Sequence, residues 1–426
     1  MLYLLHDFHR SWMDPVATYS GATARLLRDP RTPLARTWPA RWAAANHALL
    51  HRLTRRYDKP AFGLSDVAAH GVRVAVREQV LVQEPFCRLV RFERASSSPD
   101  IAARLARDPK VLVCAPLSGH HATLVRDTIE SLLHDHDVYV TDWLDARDVP
   151  LSDDTFGLDD YVHTVQRYLR HLGAGELHVV AVCQPTVPVL AAVALMAQDG
   201  EVTPRSLTLM GGPVDARRNP TKVNELATKR SYAWFEQNMV YRVGPGHRGA
   251  GRRVYPGFLQ LTSFVAMNPE RHLESHWSYW RDVLRGPRGD ERTQTHERFY
   301  DEYNAVLDMD APYYLETVKR VFQDFALARG TFEVAGHRVE PGAITTTALF
   351  TIEGENDDVA GLGQTEAAHG LCTSIPATRR RHLVAKGCGH YGIFSGRRWR
   401  ESIYPELRDF IRGADEGTKL LAGSDA

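Results

Sequence analysis

The sequence predicts an α/β fold built on a mostly parallel, doubly wound sheet. Three observations carry that expectation. Short apolar runs rich in β-branched residues alternate with helical stretches from about residue 70 to 213. The alternation lapses from 214 to 340. It then resumes, with strands expected over Thr347–Ile352 and His382–Ala385 and a closing helix to Arg412.

Residues 1 to about 60 carry Trp12, Leu26, Trp38, Trp42 and Leu49 among many Arg and Ala, which predicts helices packed on the main domain. Val72–Val76 and Cys87–Phe92 predict an antiparallel pair at the sheet edge. Val111–Leu117 reads as a buried strand running into Ser118-Gly119-His120-His121, with a helix from Ala122 to Leu133. Val138–Trp143 is the next strand. Leu158, Tyr161, Val162, Val165 and Leu169 mark one face of a helix. Leu177–Val182 is a buried strand, and Thr186–Ala197 a helix apolar on nearly every side. Ser206–Met210 is a strand ending in Gly211-Gly212-Pro213, and Gly361–Leu371 predicts a later helix. The expected units are a helical extension at 1–65, a core at 66–213 and 341–413, an insertion at 214–340 and a flexible tail at 414–426.

Composition excludes several classes of function. The 426 residues carry a formal net charge of zero, so nothing global favours nucleic acid or an anionic membrane. The five cysteines form no CxxC pair, which argues against a disulfide framework or a zinc site and for a reducing compartment. Met1–Trp12 lacks the basic region of a signal peptide. The longest apolar run, Val187–Ala197, falls short of the roughly 20 residues a bilayer span needs. The expected protein is cytoplasmic, without membrane insertion.

The chemistry centres on Leu177–Pro185. A buried strand breaks at Cys183-Gln184-Pro185 and a helix follows at once. That is the pattern of the nucleophile elbow of α/β-hydrolases, with Cys183 at the corner. The usual Gly-x-Ser-x-Gly places small residues on either side; here those places hold Ala181 and Pro185. Ala is nearly as small as Gly, and Pro is tolerated in a first helical turn. The long interruption after the sixth strand then falls where such folds carry a lid. Its many aromatics, Trp234, Phe264 and Tyr313 among them, supply its own core and could line a substrate channel.

A thiol nucleophile needs a base, and the base an orienting acid, in the chain order nucleophile, acid, His. The loop Glu353-Gly354-Glu355-Asn356-Asp357-Asp358 supplies Asp357 as the acid, with Asp358 the near rival and Asp215 a further alternative. The Gly-rich loop Gly387-Cys388-Gly389-His390 supplies His390 as the base. One oxyanion donor should be the Gln184 N–H; the other should come from Ser118, Gly119 or His120. Two motifs are set aside. Gly244-Pro245-Gly246-His247-Arg248-Gly249 fits G-x-G-x-x-G but reads as a mobile loop. His272 and His276 have the spacing of zinc ligands but lack the HExxH arrangement and read as surface histidines.

The Val-Cys-Gln-Pro corner, the Glu-Gly-Glu-Asn-Asp-Asp loop, Gly-Cys-Gly-His-Tyr-Gly-Ile-Phe-Ser-Gly and Ala-Pro-Leu-Ser-Gly-His-His resemble signatures of the intracellular polyhydroxybutyrate depolymerases of bacteria. The likeness runs over almost the whole chain. It implies a Cys–Asp–His triad of Cys183, Asp357 and His390. It also implies hydrolysis of amorphous poly(3-hydroxybutyrate) in cytoplasmic granules to oligomers and 3-hydroxybutyrate, with no metal or cofactor. The partner implied is the granule surface, and homodimerisation stays open. The rivals are a polyhydroxyalkanoate synthase, whose elbow is Gly-x-Cys-x-Gly, a non-catalytic granule-coat protein, and a small-ester esterase.

Overall fold

The computed structural model describes residues 2–286, 290–415 and 417. Two helices come first, α1 (Leu2–Arg28) and α2 (Trp38–Thr54). The central sheet follows: β1 (Asp66–Ala69), β2 (Val72–Gln83), β3 (Cys87–Ala95), β4 (Lys110–Cys114), β5 (Asp137–Trp143), β6 (Leu177–Val182), β7 (Ser206–Met210), β8 (Ala348–Gly354) and β9 (Arg380–Ala385). Their spatial order is β1-β2-β3-β5-β4-β6-β7-β8-β9. The edge through β3 is antiparallel, and β5 onward is parallel. This is the crossed-over order of an α/β-hydrolase sheet. Strands β5, β6, β7 and β8 are buried at every residue, as a parallel sheet covered on both faces requires.

Helices α3 (Leu158–Leu172) and α4 (Thr186–Gln198) cross between strands. α4 is buried from Thr186 to Met196 and so needs no polar face. Between β7 and β8 run α5 (Lys222–Lys229), α6 (Gly257–Met267), α7 (Pro269–Arg285) and α8 (Asp290–Tyr303), with a three-stranded sheet of very short strands. The chain closes with α9 (Tyr404–Asp415).

Several elements differ from expectation. Gly361–Leu371 is mostly turns, with a helix only over Ala368–Leu371. The Glu353 carboxylate accepts from the Gly363, Thr365 and Glu366 N–H groups and holds the segment as a loop. The tail begins later than 414, because Ala414 and Asp415 complete α9. Asp415 there accepts from His178 (3.2 Å) and pairs with Arg205. The rest of the expected tail, apart from Gly417, lies outside the described residues. The 244–249 loop joins the short strands Tyr241–Arg242 and Arg253–Tyr255 and is pinned rather than mobile. The Gly249 N–H donates to the Arg147 carbonyl at 2.7 Å, and a Cβ there would strike three backbone carbonyls. His272 and His276 are half-buried rather than free on the surface. They pack in an aromatic ladder between α7 and α8, where His272 Nδ1 bonds the Tyr300 hydroxyl at 2.9 Å. No cluster of metal-ligating side chains occurs among the described residues.

Candidate active site

Parallel register aligns the strand ends. Val182 pairs with Met210, and Met210 with Ile352, so the chain leaves β6, β7 and β8 along one edge. The crevice at the carboxyl ends of such strands is where open α/β sheets bind ligands. Cys183 is the first residue beyond β6 and has φ of 68°, a left-handed conformation that a non-Gly residue adopts only when its surroundings impose it. The Cys183 N–H donates to the Met210 carbonyl at 2.7 Å, and the Cys183 carbonyl accepts from Thr186 at 3.2 Å as α4 begins. Gly212 makes the corner possible. A Cβ on it would collide with the Cys183 carbonyl and the Thr186 side chain. A Cβ on Gly211 would lie 2.6 Å from Ile393 and 3.4 Å from the His390 ring.

Asp357 lies on the loop after β8. Its Oδ1 accepts from the Val359 and Ala360 N–H groups, both at 2.8 Å, and its side chain is fully buried. Its Oδ2 accepts from His390 Nδ1 at 2.8 Å. His390 lies on the loop after β9, buried, and within the field of Cys183. Burial opposes charge on this ring. The Asp357 carboxylate and then Cys183 outweigh it, and the pKa of His390 stands well above the ordinary imidazole value. The fold therefore brings Cys183, His390 and Asp357 together, with His390 hydrogen-bonded to Asp357. The rivals to Asp357 stand apart. Asp358 is exposed and bonds Asn268, and Asp215 is clamped by Arg217 at 2.7 Å.

Cys183 is the one half-buried cysteine of the five, all of which are free. Burial pushes the Cys87, Cys114 and Cys372 thiols up, which leaves them inert packing residues. Cys183 instead lines a cavity of about 510 Å³. Its floor is Leu117, Ser118, Cys183 and Gln184, and its roof comes from the insertion, including Phe235, Phe264 and Tyr313. That size and apolar lining suit a small-molecule or acyl site. A hollow of about 700 Å³ elsewhere is walled by Asp159, Glu316 and Arg320 and holds none of these groups.

Of the expected oxyanion residues, Gln184 and Ser118 line the cavity beside Cys183. Gly119 and His120 shape the loop instead. Gly119 has φ of 115°, its carbonyl accepts from Leu307 at 2.8 Å, and Gln260 Oε1 sits where a Cβ would be. The His120 ring donates to the Tyr303 carbonyl and stacks on Phe264, and burial lowers its pKa to about 4. Sequence reading missed Gln260 and Thr317, and singled out no individual role for the glycine pair. The pair follows directly on a buried strand, a detectable sign of close backbone approach. Gln260 and Thr317 sit in the insertion, where nothing local marks them.

The sheet order, the strained corner and the His390–Asp357 pair are those of the α/β-hydrolase fold. Residues 211–415 match the family described as the PHB de-polymerase C-terminus. No curated protein matches it significantly. Among solved structures it is similar to a putative lipase from Acinetobacter baumannii AYE (11% identity, 80% of this chain and 93% of that one, TM-score 0.46). It is also similar to a monoacylglycerol lipase from Paleococcus ferrophilus (10% identity, 72% and 94%, TM-score 0.42). A third is the 2-hydroxy-6-oxo-6-phenylhexa-2,4-dienoate hydrolase from Rhodococcus sp. strain RHA1 (14% identity, 80% and 99%, TM-score 0.41).

Proposed function

We propose that this chain is an intracellular depolymerase of poly(3-hydroxybutyrate), with Cys183 as nucleophile, His390 as base and Asp357 as orienting acid. The observation that carries the reading is His390 hydrogen-bonded to Asp357 and within the field of Cys183 at the floor of an apolar cavity, in a chain whose residues 211–415 match the PHB depolymerase C-terminal family. His390 takes the Cys183 proton, and the thiolate attacks the ester carbonyl. The Gln184 N–H and a donor from the Leu117–Ser118 loop hold the oxyanion. The alkoxide leaves with the proton from His390. Water, deprotonated by His390, then frees the hydroxyacyl chain.

The insertion acts as a lid over this reaction. The granule surface is the partner, and the N-terminal helices support that reading. Leu4, Phe8, Trp12 and Tyr19 on α1 are more than half exposed, as are Trp38 and Leu53 on α2. An apolar surface of that extent marks an interaction site. α1 braces on α6, a wall of the cavity, through the stack of His6 on Phe258. Among the described residues, no helix is long and apolar enough to cross a membrane.

The test is acid release from amorphous poly(3-hydroxybutyrate) granules by wild type and Cys183→Ala, with and without iodoacetamide. Release that both the substitution and the alkylation abolish supports a thiol depolymerase. A folded wild type that releases nothing returns the synthase and granule-coat readings.

A further inference from the structure

Most of the cavity wall is greasy: Val223, Leu226, Phe235, Met239, Phe264 and Phe322 line it. One side is not. Gln184, Tyr313 and Thr317 also line it, and they are exposed by only 8%, 1% and 8%. Neither amide atom of Gln184 has a hydrogen-bond partner in the protein, nor does the hydroxyl of Tyr313 or of Thr317. The Tyr313 hydroxyl faces both the Gln184 and Thr317 side chains and lies within the field of Cys183, without closing a well-formed hydrogen bond to either neighbour. A buried polar group left unpaired forfeits its hydrogen bonds to water and gains nothing in exchange. Three such groups converging on one spot in an apolar cavity are a recognition surface awaiting a ligand.

The groups specify that ligand. A hydroxyl, a phenol and a primary amide are neutral, and each has a proton to give. They suit a neutral carbonyl oxygen. A carboxylate would call for a cation, and the only charged residue lining the cavity, Lys222, is exposed at the start of α5. In a 3-hydroxyacyl polyester, a second ester carbonyl follows the first within one repeat unit. A simple ester has no such group.

We propose that Gln184, Tyr313 and Thr317 form a second ester-binding subsite, which grips the ester next to the one attacked by Cys183. The subsite rests on the hydrolase reading above and makes the chain selective for two esters in series.

The test compares total acid release from methyl 3-acetoxybutyrate, which has two esters in one repeat unit, with release from methyl butyrate, which has one. The expected wild-type kcat/KM is roughly tenfold higher on the diester. Tyr313→Phe and Thr317→Val each cut the diester-to-monoester ratio about fivefold, the loss of one hydrogen bond. Both replacements keep the side-chain shape, so the ratio reads recognition rather than folding. A wild-type ratio near one, or a ratio that neither substitution moves, overturns the subsite while leaving the hydrolase intact. No acid release from either ester by wild type removes the hydrolase reading itself, and the subsite with it.

Discussion

The floor and the roof of the cavity are built on opposite principles. The floor is formed at the ends of β4, β6, β7 and β8, and its polar groups, the Gln184 amide apart, answer one another. Cys183 bonds through its backbone to Met210 and Thr186, and Asp357 accepts from Val359, Ala360 and His390. The roof, drawn from the insertion, is mostly aromatic and aliphatic and leaves the Tyr313 and Thr317 hydroxyls unanswered. Satisfied groups fix a geometry, whereas unsatisfied ones wait for a ligand. Under the proposed function, the reaction chemistry falls to the floor and the choice of substrate to the roof.

The largest effect should come from the floor. Asp357→Asn leaves His390 without its carboxylate partner and should lower kcat on any ester by about 10³- to 10⁴-fold. Steady-state kinetics on a soluble ester checks this, and a loss confined to granules would break the division between floor and roof.

Gly212→Ala comes next. Its Cβ meets the Cys183 carbonyl, which is backbone and has little room to move. The cost should reach the upper part of the overpacking range, about 3 kcal/mol, seen as a lower denaturation midpoint. A variant as stable as wild type would show the corner to be looser than its contacts imply.

A pH series sharpens the role of the His390–Asp357 pair. The folded-state pKa of His390 is raised. Its contribution to stability is therefore complete below the unfolded value of about 6.5 and lost as pH rises through the folded value. The gap in Tm between wild type and Asp357→Asn should be widest near about pH 6 and narrow on the alkaline side. A gap that grows with pH would contradict the pairing.

The smallest effect belongs to the outer surface. Phe8→Ser with Trp12→Ser removes two exposed side chains of α1 and should weaken granule adsorption several-fold, with Tm nearly unchanged. Cosedimentation with granules measures it. Undiminished adsorption would detach α1 from substrate capture.

Much of the floor was legible because its signals are local. A run of buried β-branched residues, a nucleophile at the break and an apolar helix mark the corner at Cys183 within some twenty residues, whatever the rest of the chain does. Asp357 and His390 were readable for the same reason, each in a loop directly after a strand. The loop over 361–367 was not, since its conformation is set by the Glu353 carboxylate reaching back from β8. The partial burial of His272 and His276 was not legible either, because it depends on a second helix folding against the first.

The sequence by itself determined the sheet, the order of its strands along the chain and the three residues gathered at its edge. Periodicity and strand-end loops are properties of neighbouring residues. Only the tertiary structure decided what covers that edge. It set Tyr313 and Thr317 against Gln184, Gln260 over Gly119, and α1 against α6. Those pairings join segments far apart in sequence, and each is fixed by which faces pack once the whole insertion folds.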